Sequence, residues 1–179
     1  MKIVIWCLLS AILFHSGQVV DQNTAFRSIP IPKRENGYGN FESMVIMSKK
    51  DLDSFLTDTS TQIGWNNRQD FKDALLNAKL DFSKEALVLL RHTEGSGSTP
   101  VTFETPTLDD RTLLSKIEGK PFPPGYGGTT DMAYYCFAVA VSKSQVSQVK
   151  LQATAGGFSK RPLAPIVLPI IEKALRNEP

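Results

Sequence analysis

The spacing of apolar residues changes along the chain and divides it into segments of different kinds. Residues 3–14 are an apolar run, interrupted only by Ser10, behind a single lysine, Lys2. A run of this length rises only about 18 Å as a helix, too little to cross a hydrocarbon core of about 30 Å. The pattern is typical of a secretory signal peptide, which we place at residues 1–20. An uncleaved N-terminal anchor is the alternative.

Two later segments repeat apolar residues at helical spacing, which predicts amphipathic helices. The first helix follows Ser48, whose side chain can cap it by accepting from the N–H of Asp51. The second follows Asn67, which offers another cap. The apolar stripes are Leu52, Phe55 and Leu56 in the first helix, and Phe71, Ala74, Leu75 and Ala78 in the second.

The remaining apolar segments have the shorter period of strands. Residues 86–90 and 132–141 are apolar on both faces, which predicts strands covered on two sides. One face of the second strand is small at Cys136, Ala138 and Ala140, so we expect the two helices to pack there. Shorter strands are predicted at 44–47, 99–105 and 113–117, and an edge strand at 145–152.

Together these segments predict an α+β fold: a mostly antiparallel five- or six-stranded sheet, two N-terminal helices packed on one face, and a C-terminal helix. The predicted organisation is a signal peptide (1–20), an extended, polar, Pro-rich tether (21–40), an α+β domain (41–155) and a tail with a short helix (156–179). Pro30 and Pro32 favour an unpaired tether, with an edge strand as the alternative.

Charge and cysteine content narrow the classes of function. Without Lys2 the mature chain has 20 − 1 = 19 basic and 18 acidic residues, a balance that argues against nucleic-acid binding. Only Cys136 remains after removal of the leader, so no intramolecular disulfide can form. Its apolar neighbours indicate burial, and we expect no metal or cofactor.

The sequence selects no catalytic constellation. His92 is the only mature histidine, and Ser96, Ser98 and Asp109 are its possible partners in a serine hydrolase. No G-x-S-x-G elbow accompanies them. Whether the protein is an enzyme therefore stays open, and a non-enzymatic role is favoured.

Two glycine-rich loops are candidates for binding. Neither has the lysine of a phosphate-binding loop, and both connect strands. Exposed aromatic residues on a loop held by a sheet are typical of a recognition surface. The candidate binding residues are Gly95, Gly97, Phe122, Tyr126, Gly127 and Gly128.

Four segments together resemble the PrcB-like domain, a family of exported bacterial proteins that takes its name from an accessory subunit of a surface protease complex. The matching segments are residues 81–90, 95–103, 121–128 and 134–143. The family's Gly-Gly-Tyr turn is replaced here by Gly95-Ser96-Gly97. The resemblance implies a non-enzymatic module that associates with another exported or envelope protein, with a protease among the candidates.

Two alternatives remain open. Gly95–Thr99, Gly125–Gly128 and Arg161–Pro162 occur in the order of the three binding loops of chagasin-like cysteine-protease inhibitors, which they resemble. A hydrolase of an envelope polymer with an unrecognised site is the other. In each case the expected location is the periplasm, the cell envelope or the medium, with no nucleic acid as partner and a membrane tether if the leader is retained.

Overall fold

The computed structural model describes residues 25–35, 41–157 and 161–170. The predicted leader, residues 1–20, lies outside the described residues. Among those described, no helix has the length and apolar character needed to span a membrane.

Strands make up most of the ordered elements, in agreement with the predicted α+β class. The helices are α1 (Lys49–Asp58) and α2 (Arg68–Asn77), with a short 3-10 turn (Thr59–Thr61) after α1. The strands are β1 (Phe26–Ile29), β2 (Arg34–Glu35), β3 (Met44–Ile46), β4 (Glu85–Glu94), β5 (Val101–Phe103), β6 (Thr107–Asp109), β7 (Thr112–Gly119), β8 (Ala133–Ser142), β9 (Gln148–Ala155), β10 (Arg161–Pro162) and β11 (Ile166–Pro169).

The described strands form two sheets. The first has the order β1-β8-β4-β3, with β2 also paired to β8, and all of its pairs are antiparallel. The second has the order β10-β9-β7-β5, with β11 also on β9 and β6 also on β7. Its β7–β9 pair is parallel. The predicted single sheet is therefore wrong.

The helices cover the outer face of the first sheet. Ser48 caps α1 as predicted, accepting from Asp51 N at 3.1 Å. Asn67 precedes α2 but makes no side-chain cap. The helical stripes pack on the small face of β8, as predicted; the shared core contains Leu52, Phe55, Phe71, Leu75, Leu87, Leu89, Cys136, Ala138 and Ala140.

The opposite faces of β4 and β8 pack against the second sheet. Alternate residues of β4, Ala86, Val88 and Leu90, point into this inter-sheet core. The second sheet contributes residues of β7 and β9, including Leu113, Ile117, Val149 and Leu151. The molecule thus has three layers: helices, first sheet and second sheet.

Three other expectations need correction. The two helices are not N-terminal in the fold: three strands precede them, whereas only the strand at 44–47 is predicted there. The segment predicted as an edge strand, β9, is interior, because β7 lies on one side of it and β10 and β11 on the other. The described part of the predicted tail forms the strands β10 and β11 and no helix, and residues after 170, where most of the helix predicted from about Pro169 would lie, are outside the described residues.

Residues 26–29, within the predicted tether, pair with β8 as an edge strand. Ala25 O accepts from Ser142 N, so the backbone N–H and C=O groups of Ala25 and of every second residue after it point to β8. The backbone groups of the residues in between point away from β8. Pro30 is at one of the positions that point away from β8, so its missing N–H removes no hydrogen bond between the strands. Ile29 and Ile31 are buried beneath this edge. Alternating prolines are therefore compatible with pairing.

Candidate functional site

Several strands end together at one pole of the molecule, which we call the glycine-rich end. Glu94, the last residue of β4, lies opposite Ala133, the first of β8. On the other sheet, β7 and β9 run parallel and finish side by side. The connections there are residues 95–100, 120–132 and 156–157. Eight of the chain's twelve glycines lie at this end: Gly95, Gly97, Gly119, Gly125, Gly127, Gly128, Gly156 and Gly157.

A buried histidine–carboxylate pair lies between the sheets at this end. His92 Nε2 and Glu94 Oε1 are 2.6 Å apart, and each side chain is 2% exposed. Gly156 N donates to both Glu94 oxygens at 3.2 Å. Glu94 therefore joins the end of the first sheet to the segment that follows β9.

Two glycines allow close packing around this carboxylate. A Cβ on Gly119 would overlap Glu94 Oε1, and a Cβ on Gly156 would overlap Lys120 O. The methyl group of Thr99 lies close on the same side of Gly156. Thus Gly119 is needed for the close approach of Glu94 to the second sheet, and Gly156 for the close packing of its own segment against Gly119 and Lys120.

Hydroxyl groups connect the 95–100 turn to the loop before β8. Thr129 Oγ1 lies 3.2 Å from Ser96 Oγ and accepts from Ser98 N at 3.1 Å. Gly97 N donates to Asp131 O at 2.8 Å. These contacts hold the two candidate glycine loops against each other.

The loop of residues 120–130, here called the Pro-Gly loop, carries the candidate aromatic residues. Phe122 N donates to Gly157 O at 2.8 Å, which ties the start of the loop to the segment after β9. The Phe122 ring lies against Gly128 and 5.6 Å from the Tyr126 ring. Tyr126 is 53% exposed and Met132, just beyond the loop, is 51% exposed. The exposed apolar side chains are thus carried by a loop whose first residues are held by hydrogen bonds.

The six predicted binding residues all lie at the glycine-rich end, but their environments differ. Gly97 is buried and Gly128 is packed, whereas Gly95 and Gly127 face open space. The structure brings Phe122, Tyr126 and Gly128 together. Gly97 is connected to the loop through its own bond to Asp131 O and through its neighbour Ser96, which contacts Thr129.

The residues considered for hydrolase chemistry are not arranged for it. His92 is buried and directs Nε2 to Glu94, while Ser96 Oγ contacts Thr129. Asp109 pairs with Thr112 at the start of β7, and Gly119 ends that strand. Asp109 thus lies about 23 Å from the glycine-rich end, which is the length of β7 from Thr112 to Gly119 at about 3.3 Å per residue. Within the described ranges no group of three or more potential metal ligands occurs.

The predicted binding residues do not include Glu94, Gly119, Gly156 or Thr129, which the structure places at the same end. A signal for Glu94 was present, because it shares the strand parity of Val88 and Leu90 and therefore points into the core. A carboxylate at such a position needs partners. The partners themselves come from distant segments and have no local signature.

Two ionisable groups away from this end have shifted pKa values. Burial raises the pKa of the Cys136 thiol to about 12, against a smaller opposing effect of Arg91. The Asp81 carboxyl has its pKa lowered by hydrogen bonds from the Ser83 side chain and backbone. The thiol of Cys136 is thus protonated at ordinary pH and unsuited to nucleophilic chemistry.

No family model matches this chain, and no match was found among curated proteins or solved structures.

Proposed function

We propose that this protein is an exported, non-enzymatic protein-binding or accessory module whose Pro-Gly loop contacts the partner. The observation that carries the proposal is the half-exposed Tyr126 on a loop with a bonded base. Aromatic residues are enriched at the centres of protein interfaces because they bury large areas with few rotatable bonds.

The base of the loop supports a pre-organised surface. Phe122 is bonded to Gly157, and Thr129 is bonded to the 95–100 turn. A loop fixed near both ends loses less conformational entropy when it binds. The exposed side chains of Tyr126 and Met132 would then contribute most of the contact.

The chemistry of the same end favours contact over catalysis. The histidine and the carboxylate are buried and paired with each other. The exposed side chains of this end include the aromatic Tyr126 and the apolar Met132, beside the charged Lys120 and Asp131. We propose as partner another exported or envelope protein, with a secreted protease among the candidates, in keeping with the PrcB-like resemblance.

A capture experiment with two matched variants tests the proposal. Tyr126→Ala should abolish capture of a specific exported partner. Leu108→Ala should not, since Leu108 is similarly exposed at 44% but lies in the β6–β7 hairpin, away from this end. A partner retained by Tyr126→Ala, or recovery of the bait alone from an exported fraction, would contradict the proposal.

The predicted export of the protein requires a separate measurement. Mass spectrometry of the mature N-terminus should place cleavage near residue 20, and fractionation should recover the protein outside the cytoplasm. An intact N-terminus in the membrane fraction would instead support the retained anchor. An intact chain in the cytoplasm would contradict export.

One observation favours a second candidate function, inhibition of a cysteine protease. Arg161 pairs with Ala155 at the end of β9, so Arg161–Pro162 shares the glycine-rich end with Gly95–Thr99 and Gly125–Gly128. These three segments, two loops and the short strand β10, thus lie at one end, which is in keeping with the chagasin-like resemblance. Titration of the purified protein against a papain-like protease tests it: inhibition should weaken in the Tyr126→Ala variant, and no inhibition would exclude it.

A further inference from the structure

We propose that Glu94 is a positioning residue that fixes the Pro-Gly loop through the Gly156–Gly157 segment. The inference rests on the proposed function for its biological meaning, because this loop is the proposed contact surface. The order of the loop, however, can be measured on the protein alone. A failure of the inference is therefore distinguishable from a failure of the proposed function.

The placement of Glu94 is costly unless its carboxylate makes specific contacts. The side chain points to the inter-sheet core, in line with Val88 and Leu90, and is 2% exposed. A buried carboxylate is tolerated only when hydrogen bonds replace its hydration. An apolar residue at this position would extend the core but would leave Gly156 N without its acceptor. The carboxylate thus serves the backbone of a neighbouring segment.

A short path of contacts leads from this carboxylate to the exposed ring. Gly156 N donates to Glu94, and the next residue, Gly157, accepts from Phe122 N at 2.8 Å. Gly157 N also donates to Lys120 O at 3.3 Å. The Phe122 ring then packs against Tyr126. A shift of Gly156 would move the acceptor on which the start of the Pro-Gly loop depends.

His92 and the surrounding glycines restrict the carboxylate to one position. His92 Nε2 holds Oε1 at 2.6 Å, and Gly119 leaves no space for a side chain on the opposite side. A Cβ on Gly156 would lie 2.4 Å from Lys120 O and 2.6 Å from the Thr99 methyl group, so this segment is closely surrounded. Because displacement is blocked in these directions, a change at Glu94 or Gly119 should be felt at Gly156.

Amide hydrogen exchange on the full chain tests this path, with three variants and a matched control. Glu94→Ala removes the acceptor. Gly119→Ala keeps Glu94 but crowds both partners of the bond, because a Cβ there would lie 2.2 Å from Glu94 Oε1 and 2.4 Å from Gly156 N. Glu94→Gln keeps an acceptor for Gly156 N and turns its amide NH₂ toward His92, whose Nε2 can accept in the Nδ1–H tautomer. Gly95→Ala is the control, because a Cβ there meets nothing within 4 Å.

We expect exchange at Gly156, Gly157 and Phe122 to become about tenfold faster in Glu94→Ala and Gly119→Ala. Amides in the β4–β8 ladder should keep their rates, and Glu94→Gln and Gly95→Ala should resemble the unmodified chain. Unchanged exchange at Phe122 in Glu94→Ala would overturn the inference. Equal acceleration of the β4–β8 ladder, or unfolding of all three site variants, would also overturn it, since Glu94 would then stabilise the whole sandwich instead of the loop.

Discussion

At the scale of single residues, two adjacent glycines in the Pro-Gly loop have opposite surroundings. A Cβ on Gly128 would lie 2.6 Å from the Phe122 ring and 3.1 Å from Ser96 Oγ. A Cβ on Gly127 would meet nothing within 4 Å. Neither residue has a positive φ, so the difference between them is steric. Gly128 therefore determines how closely Phe122 packs.

Replacing each of these glycines by alanine should separate the effect of a steric clash from the effect of a less flexible backbone on the free energy of unfolding. Gly128→Ala should displace the Phe122 ring and lower the free energy of unfolding by about 1–3 kcal/mol. Gly127→Ala should change it by no more than about 0.5 kcal/mol. Urea denaturation followed by tryptophan fluorescence measures both. Equal effects of the two variants would show that the Phe122–Gly128 contact does not determine stability.

The Cys136 thiol should report on the core beneath the helices. Its folded pKa is about 12, raised by burial from an ordinary value near 9.0. The unfolded thiol ionises first as the pH rises, so the unfolded state loses a proton that the folded state retains. Stability should consequently fall between about pH 9 and 12.

Alkylation and pH titration test this expectation together. Iodoacetamide should label Cys136 at least about a hundredfold more slowly in the folded protein than in urea. In a Cys136→Ala variant, the free energy of unfolding should fall less steeply above about pH 9, because the contribution of the thiol is absent. Rapid labelling of the folded protein near neutral pH would contradict the assigned burial.

At the scale of elements, prolines lie where they leave the ladders intact. Ile170 N donates to Ser147 O, so alternate residues of β11 face β9, and Pro169 faces away. Pro30 lies at an equivalent outward position beyond β1. A missing N–H on the open side of an edge strand removes a donor that another chain would otherwise use.

Restoring these donors should promote self-association. We expect the double variant Pro30→Thr/Pro169→Thr to form concentration-dependent oligomers, detected by size-exclusion chromatography with light scattering. Pro124→Thr, in the Pro-Gly loop and outside any strand, is the control and should leave the oligomeric state unchanged. An unchanged state in the double variant would show that the edges are protected by other means.

Strands with two apolar faces were the elements best predicted from sequence. The alternation in residues 132–141 predicted a central strand with helices on its small face, and Cys136, Ala138 and Ala140 do lie in the helix-side core. The same pattern implied a second covering layer. Two helices of ten residues cover only one face, so the other layer had to come from strands.

Lateral strand order could not be predicted in the same way. In β9, inward Val149 and Leu151 alternate with the more exposed Lys150 and Gln152. This pattern indicates which face of the strand is buried, but it does not indicate whether other strands pair with one edge or with both. An interior strand with one solvent face therefore resembles an edge strand. In the candidate site, similarly, exposed Tyr126 could be predicted locally, whereas the Glu94–Gly156 contact joins residues far apart in sequence.

At the scale of the whole molecule, the three layers depend on both ends of the described chain. Ile29 and Ile31, before the predicted start of the domain at residue 41, are buried in the helix-side core. Leu168 and Ile170, after its predicted end at residue 155, pack in the inter-sheet core. β1 and β11 also supply the outer partners of β8 and β9.

Truncation should show whether these ends are part of the folding unit. Full burial of an isoleucine stabilises a protein by about 1.5–3 kcal/mol, so losing the buried Ile29, Ile31 and Ile170 would remove roughly 5–9 kcal/mol, before the half-buried Leu168 is counted. That loss is comparable to the whole stability of a typical domain, about 5–15 kcal/mol. We therefore expect residues 25–170 to unfold cooperatively and residues 41–155 not to, as measured by circular dichroism during heating. A chain of residues 41–155 with the same melting temperature as 25–170 would show that the helices and the central strands fold without their outer partners, and the tether and tail would then be separable from the domain.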